Sequence, residues 1–262
     1  MSTATTIDTT ARRVPPMGGF NPSLLGIELR RMLRNRRTVV FAMIFPAAMF
    51  LVFGSGTDST ESVGEGNVSA YVMVSMAMYG AALTAAAAGT QVAIERALGW
   101  SRQLRLTPLN PTAYIVVKAI VALVLGAVAI AVVNLVGVLQ GKPEMPAAVW
   151  VECALLALAC TSVFAALGLF VGYLLPGENA MQVLGPGLAL LAFLGGLFIP
   201  LDQYAEWVRD IAYWTPMYGV AEITRAPLTH ELPWYAVVNA VGWLAVFVAG
   251  AAWRMAKDTA RV

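Results

Sequence analysis

Six apolar runs organise the chain, at about residues 38–56, 70–93, 113–139, 151–175, 181–201 and 234–254. Each is long enough to cross a hydrocarbon core as a helix, which takes about 20 mostly apolar residues. Little chain is left between them. The pattern predicts an all-α integral membrane protein with six transmembrane helices in one domain over 38–255, and no soluble domain of ordinary size. Residues 1–20 are polar, lack the apolar core of a signal peptide and read as a disordered tail, and 256–262 form a second short tail.

Three polar-to-amphipathic stretches are more than connectors. The first, "NPSLLGIELRRMLRNRRT", begins with Asn21 as a helix cap and Pro22 at the first helical position. Leu25, Leu29, Met32 and Leu33 fall on one face and Arg30, Arg34 and Arg37 opposite, which predicts an interfacial amphipathic helix over 21–37. The second, "IERALGWSRQLRLTPLN", spans Ile94 to Asn110. As a helix from Glu95 it sets Ala97, Trp100 and Leu104 on one arc and Glu95, Arg102 and Arg105 on another, until Thr107-Pro108 and Asn110-Pro111 stop it. An apolar stripe needs something to pack against, and a separate protein is the natural candidate. The third runs from Gly195 to Leu228. Trp207, Ile211 and Trp214 are possible apolar anchors of a short amphipathic run. "TPMYG" breaks it, and Val220–Arg225 continues weakly. This segment predicts short helices dipping into or lying on the outer leaflet.

Composition agrees with the pattern. The chain is 59% hydrophobic and 12% charged, against about 45–50% and about 25% in soluble domains. With six spans and an internal N-terminus, fourteen of the 17 basic residues fall on the inner side, leaving Lys142, Arg209 and Arg225 outside. Excess Lys/Arg marks cytoplasmic loops, so both termini are expected in the cytoplasm. Trp150 and Trp234 begin spans and Trp253 ends the last, as interfacial tryptophans do. Arginine dominates the basic residues, which suggests GC-rich coding and a bacterial source.

The chemistry for catalysis is missing from the sequence. One histidine, His230, and two cysteines, Cys153 and Cys160, offer no metal or triad spacing, and the cysteines sit two helical turns apart, too far for a disulfide. "GVLQGKP", Gly137 to Pro143, has three residues between its glycines and Pro after Lys, so it is not a phosphate-binding loop. Charges inside the runs are scarce. Lys118 and Glu152 lie near span ends, where long side chains can snorkel to water. That disfavours an ion-coupled carrier, which places ionisable groups mid-span. Gly168 and Gly172 form a GxxxG, and "AALTAAAAG" permits close helix approach, within the chain or between copies. Asn67 heads an N-x-S glycosylation sequon.

Together these stretches resemble the membrane permease of type-2 ABC exporters, the daunorubicin-resistance and polysaccharide-export class. "ERALGWSRQLRLTPL" is similar to the family's E-R-x-x-G-x(4)-L-x-x-T-P pattern at Glu95, Arg96, Gly99, Leu104, Thr107 and Pro108. The outer segment is similar to its second signature through Gly196, Pro200, Trp207, Pro216 and Tyr218, with "QYAEW" where the family carries a Pro before the Trp. The resemblance covers roughly residues 21–255.

It implies a homodimer of permeases bound to two copies of a separate ABC ATPase, with ATP and magnesium in that partner and no cofactor, metal or nucleic acid in this chain. The helix at about 95–106 would be the coupling helix in an ATPase groove, with the interfacial helix bracing it. Substrate would pass between the second and fifth spans of each protomer, near Met76, Tyr79, Leu83, Thr84, Phe193 and Phe198. A hydrophobic or amphipathic, drug-like compound is expected to leave across the plasma membrane. The first alternative is a lipid-linked glycan or other envelope component. The rival of another class is a non-transporting immunity, sensor or scaffold protein.

Overall fold

The computed structural model describes residues 22–56, 59–99, 110–177 and 179–260. Among the described residues there are nine α-helices in chain order: α1 Pro22–Arg34, α2 Arg36–Phe53, α3 Val68–Ala97, α4 Pro111–Gln140, α5 Ala147–Leu174, α6 Asn179–Leu194, α7 Glu206–Ala212, α8 Pro216–Thr229 and α9 Trp234–Ala260. Four of them, over Val68–Ala97, Thr112–Gln140, Ala147–Leu174 and Trp234–Lys257, are long and apolar enough to cross a membrane. The first and fifth expected spans are shorter apolar helices, Ala42–Phe53 and Gln182–Leu194. Each carries an internal proline, Pro46 or Pro186, which removes one helical hydrogen bond and favours a kink.

The axis of the bundle is α3. Every residue from Met73 to Ala93 is buried, with α2, α4, α5, α6 and α8 packed around it. The reason lies in side-chain size. A Cβ on Gly168 would stand 2.2 Å from the Ala86 carbonyl oxygen, and one on Gly89 would stand 2.5 Å from the Leu169 nitrogen. The α3 and α5 backbones therefore touch, an approach that small residues permit. The GxxxG of α5 is engaged inside the chain, so it is not the dimer contact that was its alternative reading. Thr84, Thr90 and Thr161 return their hydroxyls to carbonyls of their own helices, so their burial leaves no donor unmatched.

α8 corrects an expectation. Val220–Arg225 does not continue weakly but forms the core of a 14-residue helix. Thr215 precedes it and Pro216 occupies its first turn, a favoured start. Pro216 to Ala221 are all buried. Gly219 lets α8 meet α9, since a Cβ there would lie 2.4 Å from the Ala236 carbonyl oxygen. His230, at φ 58°, ends the helix in the left-handed conformation.

The fold is not wholly helical. Ser62–Val63 (β1) and Gly66–Asn67 (β2) pair antiparallel as a small hairpin docked on the C-terminus of α8. The Glu65 amide donates to the Leu228 carbonyl at 2.8 Å. Gly64, at φ +55°, passes where a Cβ would meet that carbonyl at 2.0 Å. Asn67 caps α3 by accepting from the Ala70 amide and donates to the Lys142 carbonyl at 2.8 Å. Its side chain is buried, so the sequon is closed to a glycan.

Candidate functional site

The two motif carboxyl-terminal turns of α3 and the helices around them form a buried ionic junction. α3 continues through Glu95 and Arg96 to Ala97, then stops at Leu98 and at Gly99, whose φ is +74°. Glu95 therefore closes a long helix and does not open a separate one, which moves the expected start of the coupling helix. α4 begins after Asn110, whose side chain caps the Thr112 amide, with Pro111 at the first position. Asn110-Pro111 is thus the start of the next helix as well as a stop.

Lys118 stands two turns into α4. Its ammonium reaches Glu95 Oε1 at 2.5 Å and Glu28 Oε2 of α1 at 2.6 Å. Arg31 of α1 reaches Glu95 Oε1 at 2.8 Å. The Tyr114 hydroxyl donates to the other oxygen of Glu95. The side chains of Lys118 and Glu95 are each 3% exposed and that of Glu28 7%, whereas Arg31 keeps 43%. Two carboxylates face two cations, so the charge closes on itself, as buried charge must. Lys118 was expected to snorkel to water. It does not, because two acids meet it first.

α1 carries the other half of this contact. Leu24, Leu25, Leu29 and Met32 pack on Val117, Val121 and Ala88, whereas Leu33 is exposed beside Arg30 and Arg34. The expected apolar face is therefore right at Leu25, Leu29 and Met32 and wrong at Leu33: the packed stripe runs through Leu24 and Glu28 instead. The helix ends at Arg34 and Arg36 starts α2, so Arg37 is not part of α1.

Arg96 turns the opposite way. Its guanidinium donates to the Gly172 and Tyr173 carbonyls at 3.2 and 3.1 Å and lies over the Tyr173 ring. A cation there meets the partial negative charge at the C-terminus of α5. Adjacent residues Glu95 and Arg96 thus tie the end of α3 to α1 and α4 on one side and to α5 on the other. Of the proposed coupling residues, Trp100, Arg102, Leu104, Arg105, Thr107 and Pro108 lie outside the described residues.

Glu28, Arg31 and Tyr114 were not singled out from sequence. The available signal was a single carboxylate, Glu28, within a leucine stripe, and a single lysine in a 30-residue apolar helix. Two isolated opposite charges on packed faces are candidates to meet.

At the other end of the bundle, Arg225 of α8 is buried. It donates to the Tyr71 hydroxyl at 2.5 Å and the Gly196 carbonyl at 2.9 Å, and pairs with Glu222 at 2.7 Å. Gly196, at φ +74°, turns the chain out of α6. Pro200 leads into a single 3-10 turn, Leu201–Gln203. Tyr204 donates back to the Phe193 carbonyl at 2.8 Å, and partial desolvation holds its phenol above the ordinary tyrosine value. Trp207, Ile211 and Trp214 face outward. Tyr218 is buried and stacks on Tyr235. Of the six residues named for a substrate path, Met76, Tyr79, Leu83 and Thr84 are closed inside the core. Tyr79 and Phe193 each meet Phe198 edge-on at 4.8 Å, and Phe193 is half exposed.

Residues 23–228 match the ABC-2 type transporter family. The chain is also 27% identical over 203 residues to a Bacillus subtilis (strain 168) protein named as a transport permease, YvfS; the alignment covers 76% of this chain and 82% of that one.

Proposed function

We propose that this chain, which belongs to the ABC-2 type transporter family, is the membrane subunit of an ATP-driven exporter whose ATPase is a separate protein. Two permeases and two ATPases make the complex. Residues 98–110 face the cytoplasm as the ATPase docking segment, with Trp100 and Leu104 as its apolar contacts and Arg102 and Arg105 as its charged ones. ATP and magnesium belong to the partner.

The observation that carries this reading is the double anchoring at Glu95 and Arg96. A push on the segment just beyond them reaches α1, α4 and α5 through ion pairs and a helix-end cap. A passive connector has no need of that linkage.

Both termini lie inside, and the shorter helices α2 and α6 complete six crossings with their prolines. The cargo is hydrophobic or amphipathic, because the residues around the α3–α6 contact are Met76, Tyr79, Leu83, Phe193 and Phe198, and the only polar groups among these and Thr84 are the hydroxyls of Tyr79 and Thr84. In the closed arrangement described above most of them pack on one another. The path opens as α6 separates from α3.

The test is co-purification with the ATPase and measurement of hydrolysis in a bilayer. Trp100→Pro or Arg102→Glu is expected to lose the ATPase or its response to the permease. Unchanged binding and response would remove the docking assignment. Glu95 is a poor probe for this purpose, because its substitution opens the buried junction as well.

A further inference from the structure

We infer, beyond the exporter reading and independently of any ATPase, that the last turns of α9 hold the phosphate of a negatively charged membrane lipid. Arg254 and Lys257 are its donors, and the Trp253 ring positions them.

Length places the site. From Trp234 to Trp253 the helix rises about 29 Å, at about 1.5 Å per residue, close to the roughly 30 Å of a hydrocarbon core. Both indoles are exposed, 75% and 55%, as tryptophans at the two boundaries of a bilayer are. Arg254 and Lys257 follow directly, at the level of the lipid phosphates.

The two cations are gathered and unmatched. The Lys257 ammonium stands 3.8 Å from the centre of the Trp253 ring, and the guanidinium carbon of Arg254 stands 5.4 Å from it. An indole face attracts a cation without neutralising it. The Nε of Arg254 is closed off from solvent with no acceptor. Acceptors nearby have other donors. Gly250 lies against the Phe170 ring and Ala251 packs with Leu169 and Tyr173, so Arg254 stands beside the end of α5. The Gly172 and Tyr173 carbonyls there accept from Arg96. Glu28 and Glu95 face Lys118 and Arg31. Between Gly250 and Ala260 two cations accompany one acid, Asp258, which leaves a net positive charge.

A cation is favourable at any helix C-terminus, and a long basic side chain can snorkel to water. Neither effect calls for an inward-turned Nε or for two cations on one ring. A phosphodiester supplies what is missing. Its free oxygens fit the planar fork of an arginine, and the lysine adds a point charge. The acyl chains then lie along the face that Trp253 shares with exposed Val246, two turns earlier. Phosphatidylcholine carries the same phosphate with its charge cancelled, so the site prefers a lipid of net negative charge.

The test titrates the purified full chain in detergent with phosphatidylglycerol, phosphatidylcholine or inorganic phosphate, and counts bound lipid by native mass spectrometry. Phosphatidylglycerol is expected to saturate a first site that phosphatidylcholine does not fill, and inorganic phosphate is expected not to displace it. Lys257 is exposed, so Lys257→Gln leaves the packing alone; it should weaken phosphatidylglycerol binding about fivefold, and Arg254→Gln/Lys257→Gln roughly 25-fold. Removing charge weakens any general attraction, so two charge-conserving variants decide. Arg254→Lys loses the planar fork and Trp253→Leu the ring, and each should weaken binding several-fold while melting as the native chain does without lipid. Equal binding of the two lipids, displacement by inorganic phosphate, unchanged binding in Lys257→Gln, or native affinity in both charge-conserving variants overturns the inference.

Discussion

The two ends of the bundle bury charge in different ways. At the α1 end, four charges from three helices meet in one cluster, and Lys118 donates to two carboxylates. At the hairpin end, Arg225 is as deeply buried but leans on a hydroxyl and a backbone carbonyl. Its one carboxylate, Glu222, comes from its own helix a turn away and keeps 24% of its side chain exposed. The first arrangement is unbalanced if a buried member is lost, because an excess charge is then left in a dry place; only Arg31, 43% exposed, can turn to water. The second is graded, because Glu222 can turn to water. Both link elements distant in sequence, 90 residues apart for Lys118 and Glu28 and 154 for Arg225 and Tyr71. The first holds α1 to the end of α3 and the start of α4, and the second holds α8 to the α6 turn and the start of α3.

The largest expected break is Lys118→Met, which keeps the side-chain volume but leaves two buried carboxylates opposite Arg31. A loss of about 3–5 kcal/mol is expected, the scale for removing one partner of a buried pair, seen as lower yield and a lower midpoint of thermal unfolding in detergent. Arg225→Met should cost about 1–3 kcal/mol, the range for leaving buried polar partners unmatched. If it proves as damaging as Lys118→Met, the contrast between the ends is wrong. Between the two ends, Gly168→Ala asks whether they share a rigid connection. A methyl group placed on the Ala86 backbone should force α5 from α3 at about 1–3 kcal/mol, and limited proteolysis should then cut faster at both ends. The smallest effect belongs to His230→Gln. The His230–Glu65 contact at 2.9 Å is solvent-exposed, so about 0–1 kcal/mol is expected, within the error of the same melting curve.

The helices were legible because their signals are local. Apolar runs and the Pro22 start of α1 each depend on a few neighbouring residues, whereas the end of α3 before Gly99 reads as the inside of a charged helix and Asn110-Pro111 as a stop only. α8 was underestimated for the same reason. Its residues are small and mixed, and what makes it a firm helix is the burial that α3, α5, α6 and α9 impose. The site was half legible. The motif residues Glu95 and Arg96 were found, but as parts of a surface helix, since nothing nearby in the chain shows that one faces α4 and the other α5.

Periodicity in the chain established a multi-helix membrane protein, an amphipathic helix ahead of the first apolar run and a charged insertion after the second. It could not say which polar residue on a packed face finds a partner. That depends on which helices lie side by side and at what rotation, and a rotation of less than one position, under about 100°, brings Glu28 into the packed stripe and turns Leu33 out while Leu25, Leu29 and Met32 stay in. Only the packed bundle made Lys118 the centre of a neutral cluster instead of a side chain reaching for water. The free energy of a buried charge is set by what lies within a few ångströms of it, and those neighbours come from remote parts of the chain.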